Sequence, residues 1–407
     1  MKNMSSSDIV SVEKEYRPIL IGSFSGMIFA LGNALMWFIF PILAERLFKD
    51  LFVVGLIIAI PSVISMLFDI PVGGLSDHTG RKRIFLSGLA INAVLGLMLP
   101  SVTNMWSFIL FMILFGFGNL SVVVPIRAYF MDVAPKTGAS KSFGILQMGL
   151  QFGYTVGPVI AGYLIADDFE AGVYNSGVFY FLTCLAAALI LLRLKEVIFK
   201  GKSTLISIKD AIQRDKIYSK SLIDYKHLHS AGVAVFISTF LIVFVDGLIW
   251  SFEPLYTTYG IDTATVGIIM SMFFLPFILF SAPAGYVADR IGRTKIFILG
   301  LLCAAVFLIS FGLTRDPTIL MASAFATATG LALARPAMEG FLTEISSGKE
   351  RGGIVGVWNV AEDSAYVASP IIGGAIAEVF GLGSAFISVG CLLIISVPLI
   401  YLAIRNK

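Results

Sequence analysis

The stretch Gly73-Gly74-Leu75-Ser76-Asp77-His78-Thr79-Gly80-Arg81-Lys82-Arg83 is a short charged segment between two long apolar runs. It recurs 212 residues later as Gly285-Tyr286-Val287-Ala288-Asp289-Arg290-Ile291-Gly292-Arg293-Thr294-Lys295. Both copies fit the pattern G-x-[LV]-[SA]-D-x-x-G-R-x-[RK]. A self-similar segment at about half the chain length indicates a duplicated unit.

The composition of the chain points to a membrane protein. Of its 407 residues 57% are apolar and 14% are charged, whereas soluble domains average about 25% charged residues. The net charge of +3 gives no sign of a nucleic-acid partner. The three cysteines lie in apolar runs, which argues against a disulfide framework. The polar segment 1–17 and the long apolar run after it do not fit a cleavable signal peptide.

Twelve apolar runs have the length needed to cross a bilayer, which takes about 20 residues per helix. They lack the period-two alternation of barrel strands, so we expect helices. The runs are 18–44, 52–75, 84–103, 106–131, 142–166, 173–194, 230–257, 263–288, 295–314, 318–342, 352–378 and 382–404. The sequence therefore predicts an all-α membrane protein with twelve transmembrane helices in two pseudo-symmetric six-helix bundles, 1–194 and 230–407, joined by a polar linker, 195–229.

Lysine and arginine are divided unevenly between the two sets of loops. With the amino terminus placed inside, the inner segments hold 24 of them and the outer loops hold three. This asymmetry predicts a multi-pass protein of the cell membrane with both termini in the cytoplasm. Within the linker, 206–212 fits either a short amphipathic surface helix or a plain solvated connection. His227 and His229 form an isolated pair, and we predict neither a metal site nor a cofactor.

The duplicated segment resembles the cytoplasmic loop between the second and third helices of major facilitator superfamily transporters. His78 departs from the family, which usually has Arg there. The resemblance covers almost the whole chain and implies a monomeric transporter in membrane lipid that carries a small-molecule substrate. The glycines supply backbone freedom or close approach of a neighbour, and Arg81 anchors the turn. Gating residues predicted in this way are Gly73, Asp77, Gly80, Arg81, Asp289, Gly292 and Arg293.

Asp77 has two interpretations. In the family a carboxylate at this position helps to latch the halves by lying against the positive amino end of helix eleven, which here is near Gly352 and Gly353. The alternative is that Asp77 only caps its own turn.

Predicted helix five carries a second resemblance. Its spacing G-x8-G-x3-G-P-x2-A-G, over 144–162, resembles a signature of exporters (antiporters), and 369–374 in helix eleven echoes it. Generic close packing of helices is the alternative explanation. Proton-coupled antiporters of the family often have an Arg midway along helix four, and Met112 stands there instead. Standard proton antiport is therefore in question.

Charged side chains inside a bilayer cost on the order of 2.5–3.5 kcal/mol, so deep polar residues are expected to face a cavity or each other. They concentrate on helices one, five, seven and eleven, which in the family line the central cavity with two, four, eight and ten. Arg335 and Glu339 are predicted either to pair or to face this cavity, whereas Asp69 and Arg127 are assigned to the membrane interface. The predicted cavity residues are Asn33, Trp37, Gln147, Gln151, Asp246, Trp250, Arg335, Asn359, Glu362 and Asp363.

These residues predict secondary active transport by alternating access, as proton-coupled efflux of amphipathic or cationic compounds. The candidates for proton coupling are Asp246, then Asp363, with Glu362, and Na⁺ is the alternative ion. The competing prediction is uptake of a sugar or organic anion with Arg127 or Arg335 as ligand. The chain has no P-loop pattern, and no nucleophile–base set reaches the membrane, so we predict neither ATP-driven transport nor an enzyme. A sensor that keeps the transporter fold is a third reading.

Overall fold

A computed structural model describes residues 6–133, 139–194, 196, 230–345 and 351–405, and the regular elements in these ranges are all helical. The first half contains α1 (Ser6–Phe48), α2a (Leu51–Ile58), α2b (Ile60–Thr79), α3 (Arg81–Met98), α4 (Met105–Val133), α5 (Ala139–Leu164) and α6 (Phe169–Leu191). The second half contains α7 (Ser230–Phe252), α8 (Thr263–Ile291), α9 (Arg293–Leu313), α10 (Pro317–Ile345), α11 (Arg351–Phe380) and α12 (Leu382–Arg405). Apart from Glu196, the predicted linker lies outside the described residues.

Ten segments of the described chain are long and apolar enough to cross a membrane, with α2a and α2b forming one of them. The two long helices outside this set are α5, of 26 residues, and α11, of 30 residues. Both helices carry polar residues that were predicted to line a cavity and small residues that were predicted to allow close packing. The all-helical membrane fold is confirmed, and the count of twelve spans stays a prediction for α5 and α11.

Proline accounts for two interruptions of the helices. α2a ends at Ile58, Ala59 caps it, and α2b begins at Ile60 with Pro61 in its first turn. α7 ends at Phe252, and Pro254 opens a 3₁₀ segment, Glu253–Tyr259. Since proline has no N–H and fixes its own φ, it is favoured in the first turn of a helix.

The two charged turns end helices at glycines with positive φ. Gly80 joins α2b to α3 with φ 108°, and Gly292 joins α8 to α9 with φ 116°. Only glycine adopts such angles without steric cost, so the predicted need for backbone freedom at these positions is confirmed. We call this end of the molecule the turn end. The opposite end, which carries the α1–α2a connection at 49–50 and the α7–α8 connection, is the distal end.

The glycine stripe of α5 lies against α1. A Cβ added to Gly153 would stand 2.7 Å from the Cβ of Ala30, and one at Gly157 would stand 2.5 Å from the carbonyl oxygen of Leu31. Such contacts let two helix backbones approach closely, as small residues do in membrane bundles. Large apolar side chains such as Leu67 and Leu97 are exposed on the outside of the bundle, where lipid would cover them.

Candidate functional site

A cavity of about 340 Å³ lies between the two halves of the chain. Helices α1, α2a with α2b, α4 and α5 form one side, and α7, α8, α10 and α11 form the other. These are the eight helices that the family resemblance assigned to a central cavity. The site is therefore built from equal contributions of the two repeats.

The structure places nine of the ten predicted cavity residues in this wall, and Asn359 is the exception. Asn359 is exposed one turn nearer the amino end of α11, whereas Glu362, Asp363 and Tyr366 reach the cavity. Asn359 and Asp363 are four residues apart and share a face of α11, as predicted. The cavity wall on α11 begins at Glu362, however, one turn after Asn359, so Asn359 lies outside it. The residues that line the cavity as predicted are Asn33, Trp37, Gln147, Gln151, Asp246, Trp250, Arg335, Glu362 and Asp363.

Hydrogen bonds hold two of these side chains. The phenol of Tyr366 donates to Oδ2 of Asp246 over 2.5 Å, which joins α11 to α7. The amide nitrogen of Asn33 donates to Oδ1 of Asn119 over 2.6 Å, which joins α1 to α4. Tyr366 and Asn119 both line the cavity, and neither was predicted. The polar pattern of each helix was visible in the sequence, but partners on different helices are set by the packing.

Aromatic rings form a second part of the wall. Trp250 and Phe274 have ring centroids 4.7 Å apart, and Tyr154 meets Trp250 edge-on at 5.8 Å. On the other side of the site, Trp37 packs edge-on against Phe115 at 5.7 Å. Such rings offer apolar surface and a negative π-face to an organic cation.

Charged side chains face the same space. Two arginines line it, Arg127 and Arg335, together with four acids: Asp69, Asp246, Glu362 and Asp363. Arg335 lies over the ring of Phe277 at 5.9 Å, and no carboxylate oxygen of the described residues lies within 4.0 Å of it. Of the two residues predicted either to pair or to face the cavity, Arg335 lines the wall and Glu339 does not, and the two form no ion pair within 4.0 Å. Asp69 and Arg127, which were predicted to lie at the membrane interface, also line the cavity.

Two repeat-related contacts close the distal end. A Cβ added to Gly55 of α2a would overlap the carbonyl of Pro370 of α11. The same holds for Gly267 of α8 and the carbonyl of Pro158 of α5. The second contact is the first one shifted by 212 residues, with the halves exchanged.

A second pair of glycines repeats this arrangement. A Cβ at Gly374 of α11 would lie 2.5 Å from the carbonyl oxygen of Leu51, and one at Gly162 of α5 would overlap that of Thr263. These residues are again related by 212 positions. We call the four contacts of Gly55, Gly162, Gly267 and Gly374 the distal seal. They join α2a to α11 and α5 to α8, so each crosses from one half to the other.

Hydrogen bonds reinforce the distal seal. The backbone N–H of Leu51, at the start of α2a, donates to Oε2 of Glu378 in α11 over 2.7 Å. The hydroxyl of Thr263 donates to the carbonyl of Gly162 over 2.9 Å. The Glu378 contact sets a carboxylate against the amino end of a helix in the other half, where the positive end of the helix dipole favours it.

The turn end is held within each half. Arg81 forms an ion pair with Asp77 and donates to Oδ2 of Asp132 of α4 over 3.1 Å. In the second copy Arg293 donates to Oδ1 of Asp289 over 2.9 Å and to the carbonyl of Gly340 of α10 over 2.7 Å. In this conformation Asp77 therefore pairs inside its own turn. The gating roles of these residues stay predictions.

Four glycines near the turn end, Gly73, Gly74, Gly144 and Gly285, have room for a side chain. Gly73 has the side chain of Val124 at 3.7 Å as its nearest contact, and Gly285 has Pro336 at 4.0 Å. A Cβ at Gly74 or Gly144 would meet nothing within 4 Å among the described residues. The unusually close approach predicted at Gly73 and Gly285 is not seen in this conformation, because an added Cβ would only reach ordinary van der Waals distance from its neighbour.

Membrane helices from two repeats that enclose a charged central cavity, and that pack together across its distal end, have the architecture of a membrane transport protein. A family model for the Major Facilitator Superfamily matches residues 22–217 and 235–407. The chain belongs to this superfamily, whose members are transporters.

Relatives of the chain include transporters from archaea and bacteria. The "Uncharacterized MFS-type transporter MJ1560" of Methanocaldococcus jannaschii is 25% identical over 92% of this chain and 94% of that protein. The multidrug resistance protein MdtG of Escherichia fergusonii is 24% identical over 87% of this chain and 85% of that protein.

Among solved structures, the bacterial homolog to the human lysosomal transporter Spinster, in an inward-facing and unoccupied conformation, has a TM-score of 0.75 at 13% identity. That match covers 96% of this chain and 97% of the other. It supports the fold assignment.

Proposed function

We propose that this transporter exports amphipathic or cationic organic compounds, driven by protons. The observation that carries the proposal is the cavity wall, in which four carboxylates outnumber two guanidinium groups beside the rings of Trp37, Tyr154 and Trp250. A cation gains from both features, since opposite charges attract strongly at low dielectric and aromatic faces attract cations. The 24% identity to a multidrug resistance protein and the exporter-like spacing of α5 agree with this substrate class.

Alternating access supplies the mechanism. The distal seal joins the halves at one end, while glycines near the turn end have open space beside them. With the excess of Lys and Arg placed in the cytoplasm, the turn end is the cytoplasmic end and the conformation opens inward. Rocking of residues 1–194 against 230–407, as two bundles in one monomer, would close the turn end and open the distal end.

Proton coupling belongs to the carboxylates of the cavity. Asp246 and Asp363 lie on helices of the second half that border the site, and Glu362 lies beside Asp363. A carboxylate that alternates between holding a proton and facing a cationic substrate couples the two fluxes, since either ligand neutralises it. Na⁺ is the alternative driving ion.

A specific observation favours one second candidate, uptake of an organic anion or sugar. Arg335 and Arg127 face the cavity, and no described carboxylate lies within 4.0 Å of Arg335. A guanidinium in such a position recognises carboxylate or phosphate groups.

Flux from liposomes that contain the purified protein separates these functions. A panel of organic cations, organic anions and sugars is offered under imposed pH and Na⁺ gradients. We expect accumulation of cations against their gradient when a pH gradient is imposed, and none with Na⁺ alone. Accumulation of anions or sugars alone would replace the proposal by the second candidate. Absence of flux and of counterflow for the whole panel would favour a sensor.

The orientation has its own test. A cysteine at Ser203, in the predicted linker, is expected to resist an impermeant reagent applied to intact cells. Ready labelling there would place the linker outside and reverse the direction of opening.

A further inference from the structure

Glu253 is buried at the distal end, outside the cavity wall. It opens the 3₁₀ segment Glu253–Tyr259 that follows α7, and its exposed fraction is 0%. Neither of its carboxyl oxygens has a hydrogen-bond partner among the described residues. A glutamate is almost never fully buried unless it is paired. The full burial of Glu253 without a hydrogen-bond partner therefore needs an explanation other than packing.

The elements around Glu253 provide no counter-charge. The 3₁₀ segment packs against α7, α1 and α8. Residues 38–44 of α1 are buried and contain no titratable side chain, and none occurs in 263–281 of α8. The nearest acid of α7 is Asp246, which faces the cavity and bonds Tyr366. Glu253 therefore sits in apolar surroundings.

The other ionisable groups at this end are engaged elsewhere or lie at the ends of their helices. Tyr256, one turn after Glu253, donates its hydroxyl to the carbonyl of Phe311 over 3.3 Å. Arg46 stacks on Phe169 at 3.6 Å, and Arg315 stacks on Tyr259 at 4.1 Å. On the elements that contact the 3₁₀ segment, the remaining groups near this end are Glu45, which precedes Arg46 at the end of α1, and Asp262, the exposed N-cap of α8. No described Lys, Arg or His nitrogen lies within 4.0 Å of Glu253.

An ionised carboxylate without donors is far more costly to bury than a neutral carboxyl group. The closed distal end thus accommodates Glu253 with its proton. The contact between the 3₁₀ segment and α1 joins the two halves of the chain, so opening of the distal end separates them and brings water to this side chain. In water the carboxylate is the favoured form at neutral pH.

We propose that Glu253 binds a proton when the distal end closes and releases it when the distal end opens, so that closure is linked to pH. By linkage, one coupled proton changes the ratio of closed to open molecules by up to about tenfold per pH unit. The inference holds for either direction of cargo movement. It concerns the gate, and it assigns Glu253 a role separate from the carboxylates of the cavity.

The test measures the conformation directly. Spin labels at Thr103 and Thr318, exposed at the distal ends of the two halves, are introduced into a protein whose three cysteines are replaced by serine. Distance distributions are recorded in detergent from about pH 5 to about pH 8. For the otherwise unchanged protein we expect the closed population to grow as the pH falls.

Glu253→Gln imitates the protonated side chain, and we expect it to stay closed over the whole range. Glu170→Gln, at an exposed glutamate of the same end, is the matched control and should keep the original pH dependence. If Glu253→Gln does not fold, Glu253→Met provides the same neutral volume and is expected to behave alike. A pH dependence in either variant as steep as in the unchanged protein overturns the proposal, as does its absence from the unchanged protein.

The same labels in Asp246→Asn separate this inference from the proposed function. We expect that variant to lose pH-driven accumulation and to keep pH-dependent closure. If Asp246→Asn, with Glu253 intact, no longer closes in response to pH, the linked proton belongs to the cavity and the proposed role of Glu253 is overturned.

Discussion

The phenol of Tyr366 donates a 2.5 Å hydrogen bond to Asp246, which is 120 residues earlier in the chain. The bond crosses from α11 to α7 at the edge of the cavity, near Arg335 and Glu362 in the same wall. Any change in the charge of Asp246 alters this bond. A proton or a cationic substrate that reaches Asp246 therefore also changes how α7 and α11 are held together.

Replacement of this carboxylate tests the coupling. We expect Asp246→Asn to abolish pH-driven accumulation while downhill exchange persists in part, because the amide keeps the shape but carries no titrating proton. Tyr366→Phe removes a hydrogen bond to a charged group, worth about 1.5–3 kcal/mol, and should slow transport without abolishing coupling. Both are measured as flux in liposomes. Full pH-dependent transport in both Asp246→Asn and Asp363→Asn would mean that these acids only pack or pair.

Removal of Arg335 tests the substrate class. Arg335→Gln takes a positive charge from the wall, so we expect tighter binding of a cationic probe by several-fold and weaker binding of an anionic one. Arg315→Gln is the control, since Arg315 stacks on Tyr259 outside the cavity. Equilibrium binding to the purified protein is the measurement. If Arg335→Gln loses cation binding and Arg315→Gln does not, the guanidinium has a different role from the one proposed here.

The distal seal predicts equal effects at two distant glycines. Gly55→Ala and Gly267→Ala each force a methyl group against a proline carbonyl, and such overpacking costs about 1–3 kcal/mol. We expect each to favour the distal-open state by about 5- to 150-fold, since only the closed state contains the clash. Spin-label distances between the distal ends measure this, and thermal unfolding shows whether the fold is retained.

Gly74→Ala is the control for these variants, because nothing among the described residues lies within 4 Å of the added Cβ. A distal end that stays closed in both seal variants would contradict the assigned role of the glycines.

The predicted latch at Asp77 is tested by neutralisation. Asp77→Asn should reduce turnover more than substrate binding, because a charge–dipole contact worth about 0.3–1 kcal/mol, or up to about 2 kcal/mol when partly buried, is lost from the turn-closed state. Arg81 keeps its bond to Asp132, so the fold should survive. Asp167→Asn, at an exposed acid of the distal end, is the control. Normal flux in Asp77→Asn at normal expression would leave Asp77 as a cap of its own turn.

Glu378 provides a latch of the same kind at the other end. Glu378→Gln weakens the bond to the amino end of α2a, and an exposed contact of this type is worth about 0.3–1 kcal/mol. We expect the distal-open population to rise by only about two- to fivefold, less than for the seal glycines. The spin-label distances measure it, with Glu170→Gln unchanged. A larger effect than that of Gly55→Ala would make the carboxylate, and not the backbone packing, the main support of closure.

Much of the fold follows from local rules, so the sequence predicted it. The turn glycines Gly80 and Gly292 were recognisable because reversing two helices in few residues needs positive φ, and the 212-residue offset exposed the repeat. Deep polar pairs such as Gln147 and Gln151 pointed to a cavity because charge and polarity are costly in lipid.

What the sequence did not predict depends on geometry between helices. Asp69 and Arg127 were assigned to the interface from their distance along a helix, yet the cavity reaches them. Glu253 falls near the end of a predicted span, where an acid normally meets water, and only the folded chain shows it buried, in a segment that packs against α1 and α8. Asn119 and Tyr366 were passed over because their partners lie 86 and 120 residues away.

The exchange of partners in the distal seal also bears on the origin of the molecule. Each half contributes two glycines and two carbonyl groups against which the glycines of the other half pack, and none of the four contacts lies within one half. Two copies of a single half, related by a twofold axis, would satisfy all four contacts. Duplication of one half would produce this arrangement, and Glu378, Glu253 and the charged residues of the cavity are then differences that arose between the two copies.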